Sequence, residues 1–287
     1  MILPSATNDA DNGDIMDHSE LQSLLEKIYS ERGFDFREYK TTTLTRRLTR
    51  RLHARRVQTY ADYARVLDQD PREYETLFND LTINVTSFFR DDVAFRVLKD
   101  TVLPQLIKRN LQRSLYIWSA GCATGEEPYS IAMLLFELQG KDISDWHISL
   151  LATDIDRSAL HSAQEGLFTQ KGVEGIPQAW LEKYFIPENN GFRIQPAIQE
   201  LVRFDVHNLV SDPPCHDLDL VVCRNVLIYF NPELQTRVLQ GFHAGLKEDG
   251  FLLLGKAEVP VGETKRLFHL LDSKAKVYRN AECKLKI

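Results

Sequence analysis

The sequence predicts a doubly wound α/β domain that carries a small antiparallel β insertion and follows an all-α domain. Three observations predict it. Residues 19–88 place apolar side chains at helical spacing and show no strand pattern. From residue 91 onward, strand and helix patterns alternate, the mark of a parallel sheet with helices on both faces. Residues 166–206 then break the alternation with seven glycines and prolines between short apolar pieces.

The elements follow in chain order. The N-terminal stretch MILPSATNDADNGDIMDHSE is polar and acidic, unlike a signal peptide, and residues 1–15 read as a disordered lead. Residues 16–90 form the helical domain. Ser19 is placed to cap a helix carrying Leu21, Leu24, Leu25 and Ile28, which Gly33 ends. A second helix carries Leu44, Leu48 and Leu52, and Asp70-Pro71 starts another with Tyr74, Leu77, Phe78 and Leu81 on one face. Residues 91–287 form the α/β domain: helix 93–108, strand 115–120, helix 126–139, strand 147–153, helix 156–165 and strand 218–223. Asn231-Pro232, a cap and a first-turn proline, opens helix 232–247, and Gly250 opens strand 251–255. Residues 267–271 and 275–278 read as short strands that include an antiparallel pair. Within 166–206, residues 192–194 and 202–204 read as strands of the inserted β-subdomain.

Composition narrows the function. The chain has 287 residues, 43% hydrophobic, enough for one large domain or a medium and a small one. A net charge of −6 argues against a general nucleic-acid binder. No apolar run approaches the roughly 18–20 residues of a membrane span. Cys122, Cys215, Cys223 and Cys283 are scattered, with no CxxC, and read as reduced thiols of a cytoplasmic protein, with no metal site and no disulfide frame.

The segment LYIWSAGCATGEEPYSIAMLL, residues 115–135, carries the most chemistry. A strand runs into a small-residue turn, two carboxylates and a helix, which builds a ligand pocket at the carboxyl end of a parallel strand. Gly121 and Gly125 allow close backbone approach. Glu126 and Glu127 stand where a P-loop has its Lys, and would repel phosphate. The loop suits a ligand with a positive or hydroxyl-rich part, such as a sulfonium amino acid joined to a ribose. Asp154, at the end of the next strand, is placed to receive ribose hydroxyls, or else Asp154 or Asp156 caps a helix. Loop and acid together favour an adenosyl ligand without separating NAD from S-adenosylmethionine.

Further segments add polar groups. Asn84, Thr86 and Arg90 bring an amide, a hydroxyl and a guanidinium together in NVTSFFR, where Arg90 is either a bidentate partner for a ligand carboxylate or a surface residue of a hinge. The strand end FDVHNL, residues 204–209, offers polar atoms to an adenine edge. Asn225 lies at the cleft end of strand 218–223, and Tyr229 either orients a substrate or packs in the core. TTTLTRRLTRRLHARRVQTY, residues 41–60, has six arginines and no acid. Like charges at i,i+4 cost stability, so an anionic partner, protein helix or nucleic acid, is the natural inference. The other reading is a solvated face partly neutralised by neighbours such as Glu38 and Asp62.

Together NVTSFFR (84–90), SAGCATGEEPYSIA (119–132), ATDID (152–156) and CRNVLIYF (223–230) resemble the chemotaxis receptor methyltransferases, the CheR family, in order over most of residues 20–280. The resemblance implies a helical domain and a class I methyltransferase domain with a β-subdomain inserted. It implies that S-adenosylmethionine meets Asn84, Thr86 and Arg90 at its methionyl end, Glu126 and Glu127 beside them, and Asp154 at its ribose. Asn208, Leu209, Asn225 and Val226 would line the adenosine pocket. The implied substrate is glutamate on the helical cytoplasmic bundle of methyl-accepting receptors, steered by Arg46, Arg47, Arg50, Arg51 and Arg55. Arg90 and Tyr229 are the candidates to position cofactor and substrate. No general base is expected, because an unperturbed glutamate, pKa near 4.3, is already ionised at neutral pH. GCATG departs from the GxGxG of many class I enzymes, and the turn 186–191 is short for members that dock on a receptor's C-terminal tether, which favours tether independence. The rival readings are a nucleic-acid methyltransferase and a non-catalytic S-adenosylmethionine sensor.

Overall fold

The computed structural model describes residues 10–82 and 84–281. The chain divides into two compact units, Met1–Ile83 and Asn84–Ile287.

The first unit is helical: α1 (Ala10–Arg32), α2 (Thr41–Arg55), α3 (Tyr60–Gln69) and α4 (Glu73–Leu81). Its core is the set of apolar stripes read from the sequence, Leu21, Leu24, Leu25 and Ile28 against Leu44, Leu48 and Leu52, closed by Tyr63, Leu67, Tyr74, Leu77 and Leu81. The Thr59 hydroxyl caps α3 by accepting the Asp62 N–H at 3.0 Å. Helix α1 begins at Ala10, so Ser19 lies inside it, its carbonyl accepting from the Ser23 hydroxyl at 3.0 Å. The apolar stripe starts only at Leu21, and a pattern that tracks the stripe misses the polar turns before it. The expected lead of residues 1–15 is thus helical from residue 10, and residues 1–9 lie outside the described residues.

The second unit runs α5 (Asp92–Val97), a π turn (Leu98–Val102), α6 (Leu103–Arg109), β1 (Ser114–Ala120), α7 (Glu126–Gln139), β2 (His147–Asp154) and α8 (Arg157–Glu165). It continues through β3 (Leu167–Phe168), α9 (Gln178–Tyr184), β4 (Phe185–Glu188), β5 (Gly191–Ile194), α10 (Pro196–Gln199) and β6 (Val202–Val206). It closes with β7 (Leu218–Cys223), α11 (Pro232–Gly245), β8 (Leu246–Leu254), β9 (Phe268–Asp272) and β10 (Val277–Asn280). The main sheet has seven strands in the order β6-β2-β1-β7-β8-β10-β9. Strands β6, β2, β1, β7 and β8 are parallel, and β10 runs antiparallel between β8 and β9. The chain leaves β1 toward β2 on one side and returns to β7 on the other, which opens a crevice at the carboxyl ends of β1 and β7.

Two sequence boundaries shift. Residues 202–206 form β6, paired parallel with β2, so they belong to the main sheet; the insertion's own sheet is β3-β5-β4. Val202 and Phe204 draw β6 into the main core. Residues 84–90 belong to the second unit rather than to the helical domain. Phe88 is buried edge-on to Phe168 at 4.8 Å and Phe185 at 5.3 Å, and Phe89 meets Trp180 at 5.2 Å and Phe95 at 5.5 Å. These aromatic contacts anchor the segment to the insertion and to α5.

Candidate active site

The turn after β1 is shaped by backbone that side chains rarely adopt. Gly121 (φ 81°), Ala123 (φ 48°) and Gly125 (φ 94°) are left-handed. A Cβ on Gly121 would lie 2.3 Å from Val226 Cγ2, so this glycine serves contact with the loop after β7. A Cβ on Gly125 would lie 2.9 Å from Ala163 of α8. Non-glycine residues in the same conformation gather here: Phe89 (φ 51°), Asp91 (φ 71°), Ala123 and Asn225 (φ 63°). Each costs on the order of 1–3 kcal/mol, a concentration of strain that marks sites rather than scaffolds.

Hydrogen bonds join four motif segments into one constellation. The Asn84 amide donates to Asp156 Oδ2 at 2.6 Å. Asp156, whose Oδ1 caps α8 through Ser158 and Ala159, donates its own N–H to Asp154 Oδ1 at 3.0 Å. Asp154 Oδ2 accepts the Ala123 N–H at 2.8 Å. The helix cap is therefore Asp156, and Asp154 braces the first turn. Burial pushes the Asp154 carboxyl above its ordinary value, against the pull of those backbone N–H groups.

Glu126 and Glu127 part ways. Glu126 accepts the Thr124 hydroxyl at 2.7 Å, and burial pushes its carboxyl up. Glu127 turns inward, accepting Ser119 Oγ at 2.8 Å and Arg224 Nη1 at 3.3 Å. Glu127's oxygens are engaged by Ser119 and by a guanidinium whose side chain is only 2% exposed. Burial still pushes Glu127 upward, with Arg224 opposing.

Arg224 is the hub that sequence reasoning passed over. Beyond Glu127, its Nη2 donates to the Arg90 carbonyl at 2.6 Å and its guanidinium lies over the Phe95 ring at 5.4 Å. One side chain thus links β7, α7 and the 84–91 segment. Ser130 adds a second link: its hydroxyl donates to the Glu126 carbonyl at 2.6 Å and accepts the Phe89 N–H at 3.0 Å. The Arg90 side chain itself donates to the Val85 carbonyl at 2.8 Å, closed on its own segment. Thr86 is half-buried in that segment.

The remaining candidates are placed as follows. The Asn225 N–H donates to Glu258 Oε2 at 2.9 Å, and Val226 packs on Gly121. Tyr229 sits in the short turn Leu227–Tyr229, half-exposed, its N–H donating to the Val226 carbonyl at 3.1 Å. The His207 N–H donates to the Asp154 carbonyl at 3.1 Å, so β6 ends beside the same crevice. Asn208 spends its side-chain oxygen on the Val210 N–H at 2.9 Å. Leu209 lines a cavity of about 250 Å³ between this loop and α11, with Trp118, His207 and Phe242; none of the other expected cofactor residues lines it. Glu258 and Arg224 had one available signal: a charged residue just past the carboxyl end of a strand in an open parallel sheet.

The arginine-rich helix α2 is paired within its own domain. Arg51 Nη2 meets Glu73 Oε1 at 2.6 Å, and Arg55 reaches Asp70 at 3.1 Å and Glu73 at 3.3 Å. Arg50 pairs with Asp80, and Arg47 donates to the Asp80 carbonyl. Glu73, 3% exposed, also accepts the Tyr63 hydroxyl at 2.6 Å. Acids from residues 70–80 neutralise α2, and Asp62 pairs with Arg65 of α3. Arg46 and Arg56 are exposed and make no ion pair among the described residues.

The strand order, the crevice at β1 and β7, and an acid-rich turn without a phosphate cradle define a class I S-adenosylmethionine-dependent methyltransferase. Residues 84–277 match the CheR methyltransferase SAM binding domain, and residues 19–82 match the CheR methyltransferase all-alpha domain. The chain belongs to the CheR methyltransferase family. It is 35% identical over 247 residues to chemotaxis protein methyltransferase 2 of Pseudomonas aeruginosa, covering 83% of this chain and 86% of that one. It is 30% identical over 262 residues to the chemotaxis protein methyltransferase of Borreliella burgdorferi, covering 88% and 92%. An uncharacterized 104.1 kDa protein of Rhodobacter capsulatus is 35% identical over 268 residues, which are 93% of this chain and 28% of that protein.

Proposed function

We propose that the chain transfers the methyl group of S-adenosylmethionine to glutamate side chains on the cytoplasmic helical bundle of chemoreceptors, forming methyl esters. The observation that carries this reading is the match along both domains to chemotaxis protein methyltransferases, joined to a site whose motif segments are cross-linked through Arg224. No helix among the described residues is long and apolar enough to cross a membrane, which agrees with a cytoplasmic enzyme acting on a receptor's cytoplasmic end.

The donor set fits the cofactor. Glu126 and Glu127 are buried acids following the turn after β1, Asp154 braces that turn, and the buried guanidinium Arg224 is paired to Glu127, a balance that favours a cationic ligand. Bound S-adenosylmethionine supplies an electrophilic methyl group on a sulfonium. Asp154 would hold the ribose, Asn225 and Val226 with Asn208 and Leu209 the adenosine side, and Glu126 with Asn84, Thr86 and Arg90 the methionyl end. Arg90 would leave the Val85 carbonyl to take the ligand carboxylate. Tyr229 would orient the acceptor side chain. The acceptor glutamate arrives ionised, so the chain aligns the reactants and excludes water instead of moving a proton.

Receptor contact falls to the charge that α2 leaves unpaired, Arg46 and Arg56, and to Arg50, whose side chain is 63% exposed despite its ion pair. Tether independence is supported by the tight β4–β5 turn, where Glu188 pairs with Gly191 across Asn189 and Asn190. The test of the cofactor assignment is calorimetric titration with S-adenosylmethionine and S-adenosylhomocysteine. Both bind the wild type and Asp154→Ala weakens both; a folded wild type that binds neither overturns the assignment.

A further inference from the structure

The loop that carries Asn225, Val226 and Tyr229 hangs from a single buried carboxylate. Glu258 lies just past β8 and is 3% exposed. Its Oε2 accepts the N–H of Gly255 at 2.7 Å and of Asn225 at 2.9 Å, and its Oε1 accepts the N–H of Ile228 at 3.2 Å. The carbonyl side of the same loop is held by one amide: Gln235 Nε2 donates to the Leu227 and Phe230 carbonyls, both at 2.9 Å. Carboxylate and amide thus hold the loop from two sides, around the single backbone turn Leu227–Tyr229.

The arrangement leaves no slack. Asn225 is left-handed, φ 63°, which aims its N–H at the carboxylate. A Cβ on Gly255 would lie 2.6 Å from Glu258 Oε2 and 2.7 Å from the Asn225 nitrogen, so the residue that follows β8 must be glycine for the carboxylate to reach the loop. On the far side, Val226 Cγ2 fills the space beside Gly121 in the turn after β1. Displacing the carboxylate therefore moves Val226 against the cofactor turn and moves Tyr229, three residues on.

We propose that Glu258 is a positioning residue for methyl transfer, fixing the loop that presents Val226 to the cofactor turn and Tyr229 to the acceptor. The inference rests on the methyltransferase reading of the crevice but not on the identity of the receptor. Glu258 touches neither reactant and acts only through the 225–229 backbone.

The experiment compares Glu258→Gln, Glu258→Asp and Gly255→Ala with the wild type in the full chain. Three quantities are read: amide hydrogen exchange at residues 225–228, affinity for S-adenosylhomocysteine, and kcat and KM for methylation of a receptor cytoplasmic fragment. Glu258→Gln places an NH2 against backbone N–H groups, so exchange there rises at least tenfold, ligand affinity falls several-fold, and kcat falls more than tenfold in protein that still unfolds cooperatively. Glu258→Asp recovers part of kcat. Gly255→Ala, which keeps the carboxylate and crowds it, shows the same pattern, so the reading does not depend on the Gln variant folding. Folded Glu258→Gln and Gly255→Ala proteins with wild-type kcat and ligand affinity would overturn the proposal. If the wild type binds S-adenosylhomocysteine but methylates no receptor fragment, the receptor assignment fails, while exchange and ligand affinity still decide the role of Glu258.

Discussion

The helical domain and the methyltransferase crevice both bury charge, and they balance it in opposite ways. In the helical domain, cations from α2 meet carboxylates from residues 70–80 side chain to side chain, with Glu73 serving Arg51, Arg55 and Tyr63 at once. In the crevice, carboxylates outnumber the one buried guanidinium, and Asp154 and Glu258 are held by backbone N–H groups instead. The first arrangement closes on itself and holds helices together. The second uses acids to set loop geometry.

Breaking the central ion pair on each side gives the largest effects. Arg224→Met leaves Glu127 buried without its cation and unties the Arg90 carbonyl, for a loss of about 3–5 kcal/mol in denaturant unfolding together with ligand binding. Glu73→Ala strands Arg51 and the Tyr63 hydroxyl, with a loss of the same order, about 3–5 kcal/mol, in the unfolding of the helical domain. Its S-adenosylhomocysteine affinity stays at the wild-type value, because Glu73 is no part of the crevice. Equal loss of ligand affinity in the two variants would erase the distinction.

Next comes the turn. Gly121→Ala puts a methyl 2.3 Å from Val226 Cγ2 at a φ of 81°. The expected cost is about 1–3 kcal/mol, with weaker cofactor binding seen by calorimetry.

The response to pH carries opposite signs at the crevice acids and at Glu31. Burial raises the carboxyls of Glu126, Glu127, Asp154 and Glu258 in the folded protein. Their contribution is fully present below the ordinary carboxyl value and is lost as pH rises through the folded pKa. The contribution of these crevice acids should therefore fall as pH climbs above 4.5, and Glu126→Gln should remove its share of that fall. Glu31 in the helical domain is lowered, first by its bond from Lys27 and then by Tyr74. Its smaller contribution is present above 4.5 and lost as pH falls below it, which unfolding followed separately in each unit can read.

The smallest effect on stability belongs to Arg46→Ala, within about 0.5 kcal/mol. It should nonetheless slow receptor methylation, and more so at low salt, because an exposed cation acts through steering.

What the sequence made legible follows from what periodicity and punctuation can encode. Strand 218–223 and helix 126–139 match the structure to the residue, since an apolar run broken only by Asp219 and a glycine followed by two acids mark their limits. The start of α1 and the end of the insertion were illegible: polar helical turns carry no stripe, and a strand such as β6 looks alike in either sheet until its partner is known. The motif segments meet at one crevice, but the pairings inside it span long sequence separations. Glu127 reads like Glu126 until Arg224 is seen beside it, and Glu258 is an ordinary acid until three N–H groups are found pointing at it.

The most direct test supplies S-adenosylmethionine carrying a labelled methyl group to the protein with a chemoreceptor cytoplasmic fragment, then treats the product with mild base. Methyl esters of glutamate release methanol in base, whereas methylated nitrogen does not. The account predicts label on the fragment that is base-labile and that disappears when the acceptor glutamates are replaced by alanine. Label that survives base, or a protein that binds the cofactor and leaves every receptor glutamate unlabelled, would contradict it.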